Sequence, residues 1–273
     1  MKVLQILPQL NIGGVERGTL DLSKALIHKG HQSFVISGGG VLVDELTQCG
    51  AKHYEIPVHI KSLRTLSLAK RLSETISSID PDIVHVRSRM PAWVNYRAFK
   101  MLQKKPLLVS TFHGLYSFPI YSKVMSFVDH SIAISKTVER YILENYKLDK
   151  GDITVIPRGC DPLEFNNEVI NPVDKANIIE EFPQIVGKKV LTIPGRITKW
   201  KGVAEFIDLL SLLDDNYHGL IVGPTAKSKK KYLNKLQYKV SSLNLEDKIT
   251  FTGSRRDIAN IYKISDIVFN LSQ

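Results

Sequence analysis

The chain has 273 residues, 43% hydrophobic and 23% charged, and at roughly 150 residues per domain that length suggests two domains. This composition excludes disordered, collagen-like and disulfide-scaffold proteins. With 37 Lys plus Arg against 27 Asp plus Glu, a net charge of +10 and a pI near 9.4, the chain favours anionic partners: nucleic acid, an acidic membrane surface or phosphorylated small molecules.

The opening stretch Met1–Pro8 is too short and too interrupted for a signal peptide and reads as a first strand. Short apolar, β-rich runs follow at residues 3–7, 33–36, 53–56, 83–86, 107–112, 131–134 and 153–156. Helical patterns fill the spaces: 15–29, closing at Gly30; 62–78; and 136–146, with Ser135 as its N-cap. Repeated strand–helix–strand units predict a parallel sheet covered on both faces. The alternation lapses over 163–187, rich in Pro and Asn, with a short helix candidate at 173–182. It resumes with strands at 190–193, 219–222, 249–251 and 267–271. The expected architecture is α/β: a first Rossmann-like domain over 1–162, a linker over 163–187 and a second Rossmann-like domain over 188–273. Cys49 and Cys160 are the only cysteines and form no C-x-x-C, which suits a reduced, cytoplasmic protein. No apolar run approaches the roughly 18 residues of a membrane span.

Ligands of open parallel sheets bind beyond the carboxyl ends of the strands. After the first strand, Gly13 and Gly14 open a helix, either to let a phosphate approach the free N–H groups or simply to make a tight turn. The string is neither G-x-G-x-x-G nor a P-loop, and the second strand ends in Gly38-Gly39-Gly40 with no acid for a ribose, so a nicotinamide dehydrogenase is disfavoured. His113 and Gly114 end the 107–112 strand, with His113 either a substrate contact or a histidine satisfied within the fold. Arg196 and Lys201 flank a turn between Gly195 and Gly202, with a helix expected from about Val203. They form either a fork and a point charge for a diphosphate or a solvated basic loop. Asp80 and Asp82 match a D-x-D metal string but lie at a strand's amino end, so no metal is assigned. Lys227 to Lys231 lack the aromatic companions of a nucleic-acid site.

Taken in order, these strings resemble glycosyltransferase family 4, retaining enzymes of the GT-B fold. Gly13-Gly14-Val15-Glu16-Arg17 is similar to its glycine loop, Pro81-Asp82-Ile83-Val84-His85 to its Pro-Asp strand and Thr111-Phe112-His113-Gly114 to its His-Gly loop. Ala133-Ile134-Ser135-Lys136, Ile156-Pro157-Arg158-Gly159-Cys160-Asp161, Gly195-Arg196 with Lys201-Gly202, Ile221-Val222-Gly223, Phe251-Thr252-Gly253 and Ser265-Asp266-Ile267 continue the series. Arg158 stands where the family commonly has Asn.

The resemblance implies transfer of a sugar from a nucleotide-sugar, such as a UDP- or GDP-sugar, to a cell-envelope or lipid-linked glycan, with retention and with no cofactor or obligatory metal. It casts His113, Arg196 and Lys201 as catalytic residues. Gly13, Gly14, Arg196, Lys201, Gly253 and Arg255 become donor and phosphate contacts, and Glu16 and Arg17 lie on the acceptor side. Implied partners are the donor, the glycan acceptor and an anionic membrane at the inner face, but no nucleic acid. The family continues with a pair of glutamates beyond the point where this sequence stops. The expectation is therefore an incomplete second domain, weak activity alone, and a homodimer or complementing chain. The alternatives are a non-catalytic nucleotide-sugar or glycan-binding protein and a GT-B nucleotide-sugar epimerase.

Overall fold

The computed structural model of the chain describes residues 1–60, 68–116, 119–166, 168–226 and 229–272. The chain divides into two compact units, Met1–Gly159 and Cys160–Gln273.

The first unit is built on a seven-stranded sheet of β1 (Lys2–Ile6), β2 (Gln32–Ser37), β3 (Lys52–Glu55), β4 (Ile83–Val86), β5 (Leu107–Phe112), β6 (His130–Ala133) and β7 (Ile153–Val155). Their order is β3-β2-β1-β4-β5-β6-β7 and every pairing is parallel. Successive side chains of a strand point to opposite faces, and both faces are covered. Phe34 and Ile36 of β2 join one apolar cluster with Leu72 and Ile76 of α3 (Ala69–Ile79) and Val94 and Ala98 of α4 (Arg89–Phe99). Val35, between them, joins the other with Leu20 of α1 (Gly14–His28) and Leu46 of α2 (Val43–Gln48). Double coverage explains why the central strands read as nearly continuous apolar runs.

The predicted α1 is present and stops at Gly30, whose φ of 76° lets the His31 N–H reach back to the Leu26 carbonyl at 2.9 Å. The pattern over 62–78 yields α3 from Ala69, residues 61–67 lying outside those described. Ser135 caps α5 (Lys136–Asn145), its Oγ accepting from the Val138 N–H at 3.2 Å. The sheet also holds histidines by one repeated device, which includes His130 bonding Thr154 Oγ1 at 2.8 Å. His53 bonds Ser37 Oγ at 2.8 Å and His85 bonds Thr111 Oγ1 at 2.7 Å. Each hydroxyl lies two residues beyond the position paired with the histidine, on the same face.

The second unit repeats this plan with β8 (Lys189–Pro194), β9 (Tyr217–Val222), β10 (Ile249–Gly253) and β11 (Ile267–Val268), ordered β10-β9-β8-β11 and all parallel. Leu191 and Ile193 face Phe206 and Leu210 of α7 (Val203–Ser211) and Leu236 of α8 (Lys230–Ser242). Val190 faces the opposite way, toward Ile261 of α9 (Ile258–Ile264). The segment expected as a linker contributes to this core. Asn171 Oδ1 caps α6 (Pro172–Glu181) by accepting from the Val173 N–H at 2.8 Å, and Ile178, Phe182 and Ile185 are buried against Val190 and Leu220. The last strand is shorter than predicted: it ends at Val268, past which the Phe269 N–H still donates to the sheet, to the Thr192 carbonyl at 2.8 Å. Among the described residues no helix is long and apolar enough to cross a membrane.

Candidate functional site

Each sheet grows to both sides of its first strand, β1 between β2 and β4 and β8 between β9 and β11. That reversal opens a crevice at the strands' carboxyl ends. The residues leaving β1, β4, β5 and β7 in one unit, and β8 and β10 in the other, are the candidates.

In the first unit these ends meet at Arg158, three residues past β7. Its guanidinium donates to the Gly14 carbonyl at the start of α1 and, through Nη2, to His113 Nδ1 at 2.8 Å. A β-carbon at position 14 would approach Arg158 Nη1 to 2.7 Å, so a larger residue there would push the guanidinium aside. Arginine can only donate, so His113 Nδ1 is the acceptor and the ring proton sits on Nε2. Burial, then the charges of Arg87 and Arg158, push the His113 pKa down to about 3, and the ring is neutral.

Arg87 follows the last residue of β4 and is only 7% exposed. It donates from Nη1 to Gln5 Oε1 at 2.7 Å, while Gln5 Nε2 donates to the Thr19 carbonyl and Ser23 Oγ on α1. A polar residue on β1 is thereby stitched to the helix above it. Gly18, inside α1, leaves room for Arg87 Nη2, which a β-carbon would approach to 3.3 Å. A helix-interior glycine costs roughly 1 kcal/mol against alanine, so the space has been kept at some expense. Among the described residues, the buried Nε of Arg87 and Nε2 of His113 have no hydrogen-bond partner.

Glu16 folds its carboxylate back over Gly13, an acid in the first turn where the helix dipole favours one. Arg17 pairs with Asp21 at 3.2 Å and Glu45 at 3.5 Å along the helix flank. The D-x-D string is structural: Asp80 pairs with Lys104 at 2.8 Å, and Asp82 accepts the Lys2 N–H at 2.7 Å.

In the second unit, β8 runs into Gly195, whose N–H donates to the Val222 carbonyl at 2.8 Å. Arg196 is exposed, and a single helical turn at Lys199–Lys201 leads through Gly202 to α7, which starts at Val203 as the spacing predicts. Lys201 donates to Ser272 Oγ at 3.0 Å and sits 4.6 Å from the Trp200 ring centroid. Gly253 closes β10, its carbonyl accepting from the Gly223 N–H at 2.8 Å.

Arg255, expected beside the donor, is committed elsewhere. Its Nε and Nη2 grip Asp257 at 2.8 and 2.7 Å, its Nη1 reaches both Glu181 oxygens at 2.5 Å, and its side chain is 13% exposed. It ties the end of α6 to the start of α9.

Sequence reasoning missed Arg87 and Gln5. The position of Arg87, immediately after a strand, was the available signal.

The family model for Glycosyltransferase Family 4 matches residues 12–163, and that for Glycosyl transferases group 1 matches residues 174–273. A glycosyltransferase structure from Rickettsia africae is 34% identical, with a TM-score of 0.83 over 99% of this chain and 73% of that one. The N-acetyl-alpha-D-glucosaminyl L-malate synthase of Bacillus anthracis is 23% identical, covering 96% of this chain and 71% of its own length. The fold also matches Anabaena HepE, solved with UDP and glucose, at 19% identity and a TM-score of 0.84 over 100% of this chain and 74% of that one. With two parallel-sheet units of GT-B type and matching models over both, this chain belongs to Glycosyltransferase Family 4.

Proposed function

We propose that the protein transfers a sugar from a nucleotide-diphosphate sugar to a glycan or lipid-linked acceptor, with retention at the transferred carbon. The observation that carries this reading is the basic turn after β8, where exposed Arg196 and half-buried Lys201 stand between two glycines at the mouth of a parallel sheet. Arg196 supplies a bidentate fork and Lys201 a point charge for the diphosphate. As the bond from the anomeric carbon to the diphosphate oxygen breaks, these cations stabilise the charge left on the departing nucleotide, without need of a metal. The new bond forms to an acceptor hydroxyl on the same face of the sugar.

His113 takes a supporting part. Its Nε2–H donates to a sugar hydroxyl, and its low pKa leaves the ring neutral at physiological pH. Gly13 and Gly14 present backbone N–H groups at the start of α1. Arg255, held by two carboxylates, is left out of the donor contacts. The net charge of +10 supports a place at the anionic inner face of the membrane, which predicts binding to anionic but not neutral vesicles.

The test is calorimetry with UDP and GDP followed by product assays on UDP- and GDP-sugars with lipid-linked glycan acceptors. Arg196→Ala and Lys201→Ala should each lower kcat/KM by roughly a hundredfold or more. Nucleotide binding without turnover, or full activity in Arg196→Ala, would refute the proposal.

A further inference from the structure

The stretch from Ile83 to Val128 contains no Asp or Glu. The acids that bracket it are engaged by the sheet, Asp82 accepting the Lys2 N–H and Asp129 the Leu108 N–H, each at 2.7 Å. Within it, Met90, Trp93, Arg97 and Lys100 recur at helical spacing down one stripe of α4 and its C-cap. A row of four rings is built on that stripe. Phe127 stands 5.3 Å from Tyr96, Tyr96 6.1 Å from Trp93, and Trp93 6.4 Å from Tyr121, between centroids. Cations border the row: Lys123 lies 5.9 Å from the Phe127 ring, Lys100 4.4 Å from Tyr96 and Arg89 5.5 Å from Tyr121. Trp93 Nε1 donates to the Tyr121 carbonyl at 2.9 Å, so what the indole leaves half-exposed is hydrocarbon. Trp93, Tyr96 and Tyr121 line an open hollow of about 560 Å³ with Met90, Arg97 and Lys100, and among the described residues no carboxylate lines it. Beside it in sequence, Ile120 is 89% exposed.

We propose that this aromatic row is the surface by which the protein docks on an anionic phospholipid bilayer. The proposal rests on the membrane placement given above and goes beyond it by naming the face that does the docking. Rings with an apolar body settle between headgroups and acyl chains, Ile120 enters the hydrocarbon boundary, and Arg97, Lys100 and Lys123 meet the lipid phosphates. A second copy of this chain does not fit the same face, because two acid-free surfaces would set cation against cation. Since α4 leads directly from the carboxyl end of β4, docking along it holds the crevice of the first unit beside the surface that carries a lipid-linked acceptor.

The test is co-sedimentation of the full chain with vesicles of phosphatidylcholine alone or mixed with phosphatidylglycerol. Binding to the mixed vesicles should be at least about tenfold tighter and should weaken with added salt. Arg97→Glu combined with Lys100→Glu should weaken it about tenfold or more. Ile120→Ser, at an almost wholly exposed position, should weaken it by about three- to tenfold. Lys231→Glu combined with Lys235→Glu makes the same charge change on α8 of the second unit and should leave binding within about twofold. UDP affinity, read by calorimetry, should stay within about twofold in these variants, so that lost docking is not lost folding. In Trp200→Phe, which leaves Trp93 as the one tryptophan, acyl chains brominated near the headgroup should quench the emission. Ile120→Ser and the quenching carry the test even if the Arg97 and Lys100 reversal disturbs the fold. Equal losses in the two charge reversals would make docking a matter of net charge and overturn the surface. So would full binding by Ile120→Ser, or unquenched Trp93 on bound vesicles. No binding to anionic vesicles would overturn the membrane placement together with the surface, while the transferase reading would be judged separately, on UDP affinity and product formation.

Discussion

Arg158 Nη2 donates to His113 Nδ1 at 2.8 Å, although the two residues lie 45 positions apart on different strand ends. This contact fixes the tautomer of His113 and adds a positive charge beside it. Both burial and the arginines lower the His113 pKa, so removing one arginine should raise it. Arg158→Met is expected to bring His113 up from about 3 while leaving it below the ordinary 6.5, because burial, the largest cause, remains. A ring-proton NMR titration reads this directly. An unchanged or lower value would show that the two side chains do not share the site.

Acid should weaken the fold through its histidines. His113 and His218 have pKa values lowered to about 3 and about 4, and buried His85 lies well below 6.5. Burial is the first cause for all three. Each is neutral in the folded chain but takes up a proton in the unfolded chain once the pH drops below 6.5. Their contribution is therefore complete above pH 6.5 and is lost as pH falls from there toward the folded values. Between pH 6.5 and 5 the loss is up to roughly 2 kcal/mol for each of His113 and His218, and His85 adds to it in the same direction. The thermal midpoint should fall by more than about 5 °C between pH 7.5 and 5, before the paired carboxylates Asp257 and Asp266 begin to titrate. A flat midpoint over that range would contradict the burial of these rings.

The order of elements was legible because the physics that writes it is local. Parallel strands buried on both faces must be apolar almost throughout, and Gly30 and Ser135 mark helix ends, one by lacking a side chain and the other by its hydroxyl. Three features were less legible. In α4, Pro91, Ala92, Val94, Asn95, Ala98 and Phe99 are all buried, so the helix shows no clean polar stripe, and the pattern did not announce it. Over 163–187, the Pro- and Asn-rich composition suggested a linker, but Ile178, Phe182 and Ile185 are spaced to pack. Within the site, strand-end positions pointed to His113, Arg196 and Lys201. The pairing of Arg158 with His113, and the commitment of Arg255 to two acids, depend on residues far apart in the chain, which no local pattern encodes.

Arg255 is a cation committed to holding the fold. Its fork is filled by Asp257 and Glu181, and its guanidinium lies 5.3 Å from the Phe182 ring. Arg255→Met should strand two carboxylates that face each other's charge, costing about 1–3 kcal/mol, the lower end reflecting their partial exposure. UDP affinity should be preserved. Chemical denaturation together with calorimetry separates the outcomes, since a stable variant with weakened UDP binding would return Arg255 to the donor contacts.

Gln5 is the hinge of the buried polar network under α1, with Nε2 donating to the Thr19 carbonyl at 3.1 Å and Ser23 Oγ at 3.0 Å and Oε1 accepting from Arg87. Ser33 extends the chain by donating to Ser23 Oγ at 2.9 Å. Leucine matches glutamine closely in size, so Gln5→Leu tests the hydrogen bonds rather than the packing. It would leave the Arg87 guanidinium, already short of one partner, without its acceptor, and the desolvation of that charge would no longer be offset. The expected loss is about 2–4 kcal/mol by denaturant unfolding, which exceeds what the gain of apolar burial returns. If Gln5→Leu instead proved neutral or stabilising, Arg87 would have to find its compensation elsewhere, and the network would be an accompaniment to the α1–β1 contact rather than its cause.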